Sequence, residues 1–138
     1  MDTQYLNTNG IQYLWSKIKA YIDSLYSSLV LTVSHFGNPV QMNNSSTIDL
    51  SDGDVFIKTI SADTTFSITG VPSGKTATFS LILNSGGNYS VFWPNNVKWS
   101  FGISPTLTNN GQDMITFLTP DGGTTWYGSL SVQSAQNS

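Results

Sequence analysis

The chain contains no cysteine, no arginine and no glutamate; all of its bases are lysine apart from one histidine, and all of its acids are aspartate. Without cysteine there is neither a disulfide frame nor a thiolate metal site, so stability has to come from packing or oligomerisation. Without arginine, and at a net charge of -3, there is no bidentate reader of phosphate or guanine and no basic footprint. Nucleic acid and anionic membrane are therefore poor partners. The missing glutamate removes the commonest glycosidase acid. Charged residues make up only 9% of the 138 residues, well below the roughly one quarter usual in soluble domains, so serine, threonine and asparagine must solvate the surface. Long apolar runs are absent too. The opening MDTQYLNTNG carries an acid and no basic n-region, so the sequence predicts no signal peptide, no membrane insertion and synthesis in the cytoplasm of the cell that makes it.

What is present falls into two parts. From Gly10 to about Val30, Ile11, Trp15, Ile18, Ile22, Leu25 and Leu29 recur in alternating steps of four and three, a heptad seam. Thr8 or Asn9 is placed to cap this helix. Leu14 and Tyr21 widen the stripe, while Lys17, Lys19, Asp23, Ser24, Ser27 and Ser28 fall away from it. No second helical pattern follows to pair with it. The stripe can pack on its own β-domain or against copies of itself; the widening favours a helix with two neighbours, hence a trimer. Residues 1–30 are thus read as a trimerisation or attachment helix and residues 31–138 as a knob.

From Leu31 onward the period is two. LTVSHF, TIDL, DVFIKTI, TTFSIT, TATFSLIL, YSVFW, MITFL and TTWYGSLSV are divided by SDGD, GVPSGK, NSGGN, WPNN, TNNGQD and PDGG. This grammar predicts an antiparallel, jelly-roll-like β-sandwich, making the chain mainly β behind one helix. Phe79, Leu81 and Leu83 alternate with Ser80 and Ile82, and Val55 and Ile57 alternate with Phe56, Lys58 and Ile60. Apolar residues on both faces imply burial on both faces.

Catalytic and metal motifs fare poorly. Gly70-Val-Pro-Ser-Gly74-Lys75-Thr76 has three residues between its glycines where a phosphate loop needs four, and a strand pattern follows where a helix should. Asp49, Asp52 and Asp54 match no complete calcium loop. His35 is the single histidine, and no Gly-x-Ser-x-Gly elbow accompanies it; only three copies meeting on a three-fold axis could gather it round an ion. Asp113 and Asp121 have nothing to draw them together as a hydrolytic pair. The reading is of a protein that is not an enzyme and uses no cofactor or metal. Trp93, Trp99, Trp126 and Tyr127, with Tyr89, Phe92 and Phe101 and beside Asn88, Asn95, Asn96, Asn109 and Asn110, form the densest aromatic and amide set, either core or a surface on which sugar rings stack.

The segments SADTTFSITGVPSGKTATFSLIL, GGNYSVFWPNNVKW and PTLTNNGQDMITFLTPDGGTTWYG, in that order between Thr59 and Gly128, resemble a β-domain of fibre and other structural proteins of tailed bacteriophages. LNTNGIQYLWSKIKAYIDS is similar to a short helical segment of phage tail and adhesion proteins. The resemblance implies a homotrimer in the virion, attached to a baseplate, tail or capsid protein, and carries no active site across. The expected function is host attachment through a surface receptor, a glycan first of all or else a protein. A capsid decoration or head-fibre role without a receptor, and a monomeric carbohydrate-binding module, are the alternatives.

Overall fold

A computed structural model describes residues 7–33 and 37–136, with side chains described for 7–27 and 37–136. The chain divides into two compact units, Met1–Gly37 and Asn38–Ser138.

The first unit is one helix, α1 (Thr8–Val33), about 39 Å long at 1.5 Å per residue. Its N-cap is Asn7, one residue ahead of the expected Thr8 or Asn9: the Asn7 side chain accepts the Gly10 amide at 2.8 Å and its carbonyl accepts that of Ile11 at 2.9 Å. The helix also runs past Val30, so Leu31–Val33 are helical and not the start of the expected LTVSHF strand. No glycine or proline stands between Gly10 and Gly37 to stop it, and the β-propensity of three residues is a weak force against a helix already propagating. Leu29 lies on the helix with its side chain outside the described set; His35 is outside the described residues. Lys19 and Asp23 form an exposed ion pair at 2.9 Å, a minor stabiliser. Among the described residues no helix is long and apolar enough to cross a membrane.

The second unit is built of strands: β1 (Val40–Gln41), β2 (Thr47–Asp49), β3 (Val55–Thr59), β4 (Thr64–Thr65), β5 (Ser67–Thr69), β6 (Ala77–Asn84), β7 (Val91–Phe92), β8 (Val97–Lys98), β9 (Gln112–Thr119) and β10 (Trp126–Val132). Six of them form one sheet in the order β1-β3-β6-β9-β10-β8, and β2-β5 and β4-β7 form two small ones. The expectation of antiparallel pairing holds only for β6-β9 and β9-β10; every other pair is parallel. Parallel neighbours need a crossover, and here each crossover contains at least one further strand. From β3 the chain leaves through β4 and β5 and returns as β6, in register Phe56↔Leu81, while β5 comes to lie on β2 in register Ile48↔Ile68. Successive passes therefore stack like turns of a coil. TTFSIT, expected as one strand, is two, divided at Phe66, which turns into the core at 2% exposure.

Alternation along the strands sets the core. Phe56, Phe79, Leu81, Leu83, Ile115, Phe117 and Trp126 line the buried face of the large sheet, and Met42, Ile48, Ile60 and Phe66 join them in the same cluster. Ile57, Ile82 and Met114, adjacent in the sheet register, form a half-buried apolar row on the other face, as the two-sided pattern predicted. Lys58 is buried among apolar neighbours, where it closes the turn after β1: its ammonium donates to the carbonyls of Met42 (3.2 Å), Asn43 (3.4 Å) and Ser45 (2.7 Å). Burial pulls its pKa below the ordinary lysine value.

Two turn aspartates tie the unit to pH. The Asp49 carboxylate accepts the Ser51 hydroxyl at 2.6 Å and its amide at 3.0 Å, and Asp121 accepts the Thr125 amide at 2.8 Å and the Thr119 hydroxyl at 2.9 Å. The Ser51 hydroxyl holds Asp49, and the Thr125 amide holds Asp121, below the usual aspartate pKa of 3.8. A depressed folded-state pKa gives stability that is complete above the unfolded value and is lost as pH falls toward the folded one. Thermal melts should be flat from neutral pH down to about 5 and drop below about 4, and the drop should be shallower in Asp121→Asn.

Candidate functional site

The aromatic set singled out in the sequence is divided by the sheet. Trp126 is 1% exposed and meets Phe79 edge-on at 5.3 Å; it is a core residue and cannot contact a glycan, which corrects the expectation for it. Tyr127, the next residue of β10, faces the other way and is half-exposed, with the Lys98 ammonium 5.8 Å from its ring centre. The parallel register Trp126↔Val97 and Tyr127↔Lys98 places that pair together. Asn96 is committed to the fold: its side-chain amide donates to the carbonyls of Gly123 (2.8 Å) and Thr124 (3.3 Å), and its own carbonyl accepts the Trp126 amide at 3.0 Å. Asn95 is exposed on the turn that Val97 closes by donating to the Pro94 carbonyl at 3.0 Å.

Trp93 and Trp99 do come together. Trp93 stacks on Phe66 at 5.2 Å and 13° and meets Trp99 edge-on at 5.3 Å. Trp99 lies flat across β10 at Gly128, where a Cβ would fall under 3 Å from three carbons of the indole. Gly128 is thus a close-approach glycine. Gly128→Ala should cost about 1–3 kcal/mol by overpacking, read as a lower melting temperature together with a changed near-ultraviolet tryptophan signal.

Beside Trp93 a groove of about 260 Å³ opens. One wall is Gly86, Gly87, Tyr89 and Val91; the other is residues 104–107 with Asn109. The walls are held close because a short 3-10 turn, Gly86–Asn88, presses on the facing segment: a Cβ on Gly86 would lie 2.8 Å from the Leu107 Cδ1, and one on Gly87 would overlap the Leu107 carbonyl and Asn109. The Gly87 amide donates to the Thr108 carbonyl at 3.1 Å. Behind the wall stands Asp113, fully buried, whose carboxylate accepts the Thr108 amide (2.6 Å), the Thr108 hydroxyl (2.7 Å) and the Ser134 amide (3.0 Å). Asp113 is therefore a brace, and Asp121 is engaged in its own turn; the two serve separate structures. A second groove, about 270 Å³, lies between Trp99, Ile103 and Pro105 on one side and Gly128 and Leu130 on the other. The loop tip at its rim holds Phe101 fully exposed at φ +58°, a conformation unusual for a bulky side chain.

Of the expected site residues, Tyr89, Trp93 and Asn109 line the first groove and Trp99 the second. Ser104, Thr106 and Leu107 had carried no signal of their own in the sequence; the Gly86-Gly87 pair, which marks a close backbone approach, was the available clue. Asp49, Asp52 and Asp54 sit about one turn, and no grouping of three or more potential metal ligands occurs among the described residues. The segment 70–76 joins β5 to β6, so no helix follows the Gly74-Lys75-Thr76 sequence. No protein-family model, curated protein sequence or solved structure gives a significant match to this chain.

Proposed function

We propose that this protein is a non-enzymatic bacteriophage virion protein, a homotrimer that attaches the particle to a receptor on the host surface, a glycan first of all. Three helices bundle about the three-fold axis, and the β-units form a sandwich-like knob. The observation that carries the reading is the helix seam: Ile11, Trp15, Ile18, Ile22 and Leu25 are between 41% and 63% exposed in the single chain. In proteins most helical stability comes from packing an apolar face, and three copies cover one another's. The half-buried row Ile57, Ile82 and Met114 gives the knobs a second apolar surface for their neighbours. The phage-like segments and the charge-poor, hydroxyl- and amide-rich surface support the virion setting. Three sites held on one rigid body bind a repetitive surface by effective concentration, so each can be weak alone.

Light scattering of the full chain tests the assembly: a particle of three times the 15.0 kDa chain mass is expected, and a stable monomer overturns it. An array of bacterial surface glycans tests the receptor. A trimer that binds nothing on it supports the purely structural role of a capsid decoration instead.

A further inference from the structure

We infer that the groove between the Gly86–Asn88 turn and residues 104–109 is a subsite for one neutral hexopyranose, with Tyr89 and Asn109 as its principal polar contacts. The inference rests on the receptor reading above and gives it a location.

Size comes first. At about 260 Å³ the groove is below the range that encloses drug-sized ligands and suits a single ring or the end of a chain. Its chemistry is divided as a sugar's is. Trp93, Val91, Pro105 and Leu107, all half-buried, supply an apolar side, which can take the C–H face of a pyranose. The Tyr89, Ser104 and Thr106 hydroxyls and the Asn109 amide supply the polar side, and among the described residues none of these four side chains has a hydrogen-bond partner. Asn96, by contrast, spends its amide on the turn it closes.

Charge narrows the class. No lysine or aspartate lines the groove, so nothing there would recompense the desolvation of a sialic acid carboxylate or a phosphate. Rigidity adds to it: the glycine turn, the Gly87–Thr108 hydrogen bond and the Asp113 brace fix both walls before a ligand arrives, which lowers the ordering cost of binding. Tyr127 with Lys98, on the opposite face of the sheet, has an aromatic ring and a charge without a groove around them. The second groove, near Ile103, has fewer polar groups.

The test uses the intact full-length protein with glucose, galactose, mannose, N-acetylglucosamine, N-acetylgalactosamine and N-acetylneuraminic acid. Binding is followed by saturation-transfer NMR and by tryptophan fluorescence, since Trp93 borders the site. At least one neutral sugar should bind in the millimolar range. Tyr89→Ala and Asn109→Ala, both at exposed positions, should each weaken it by about tenfold or more with an unchanged melting temperature, and Tyr127→Ala should leave it unaltered. Preference for N-acetylneuraminic acid overturns the neutral class. Neutral-sugar binding that survives both groove variants overturns the location while the receptor reading stands. Absence of any sugar binding by a trimer that is nevertheless retained on bacterial envelope preparations overturns the sugar and leaves a receptor of another kind; a trimer retained by neither overturns both.

Discussion

Replacing Ile18 and Ile22 together with aspartate is expected to convert the proposed trimer into single chains. Each isoleucine loses about 1.5–3 kcal/mol of burial, and the three copies of each new carboxylate would face one another in a dry interior with no lysine on the seam to pair them. The mass by light scattering should fall to that of one chain. Helical circular dichroism should fall with it, because most of a protein helix's stability comes from packing its apolar face. Ser24→Asp with Ser27→Asp, both off the seam, adds the same two charges to the solvent side and should leave the assembly intact. If both variants behave alike, the seam is not the interface.

Asp113→Ala is expected to be the most damaging single change in the β-unit. It leaves two backbone amides and a hydroxyl, those of Thr108 and Ser134, without their acceptor in a fully buried place. Hydrogen bonds to charged groups are worth about 1.5–3 kcal/mol each, and unpaired buried donors cost of the same order. A loss of about 3–5 kcal/mol, or roughly 15–25 °C in melting temperature for a unit of this size, should follow. Asp113→Asn keeps one acceptor oxygen and should cost clearly less. Since Thr108 anchors one wall of the groove, any sugar affinity should fall with Asp113→Ala even at temperatures where the protein stays folded.

The helix and the strand faces were legible because both depend on local period. Seven steps between Ile11 and Ile18, or two between Phe79 and Leu81, place side chains on one face whatever the rest of the chain does. Partner choice is different. The SDGD turn reads as a hairpin, yet in the structure Asp49 wraps its carboxylate round Ser51, the Leu50 amide donates to Thr69, and the chain moves on to lie parallel to a strand from an earlier pass. Nothing within four residues distinguishes a turn that doubles back from one that advances, because the difference lies in which distant strand is waiting. The same limit explains Trp126 and Tyr127. Adjacent in a strand, they had to face opposite ways, and which one went inside was settled by Val97 and Phe79, contributed by strands remote in sequence. The groove was least legible of all, since its walls are separated by some twenty residues and meet only through paired glycines and a buried carboxylate.

The strand order has a consequence for how the protein is made. β9 stands near the middle of the large sheet, between β6 and β10, although the chain reaches it only after eight other strands. Until residues 112–132 have left the ribosome, β6 presents a bare edge of Phe79, Leu81 and Leu83, the kind of edge that recruits strands from other chains. Non-local pairing of this sort is slow to form, whereas α1 is synthesised first and can fold in well under a millisecond. On the proposed trimer, newly made chains would meet through their helices while their β-units are still open. The order of synthesis makes early registration of the helices a safeguard against tangled knobs, and weakening the seam should lower the yield of soluble protein as well as the mass of the particle.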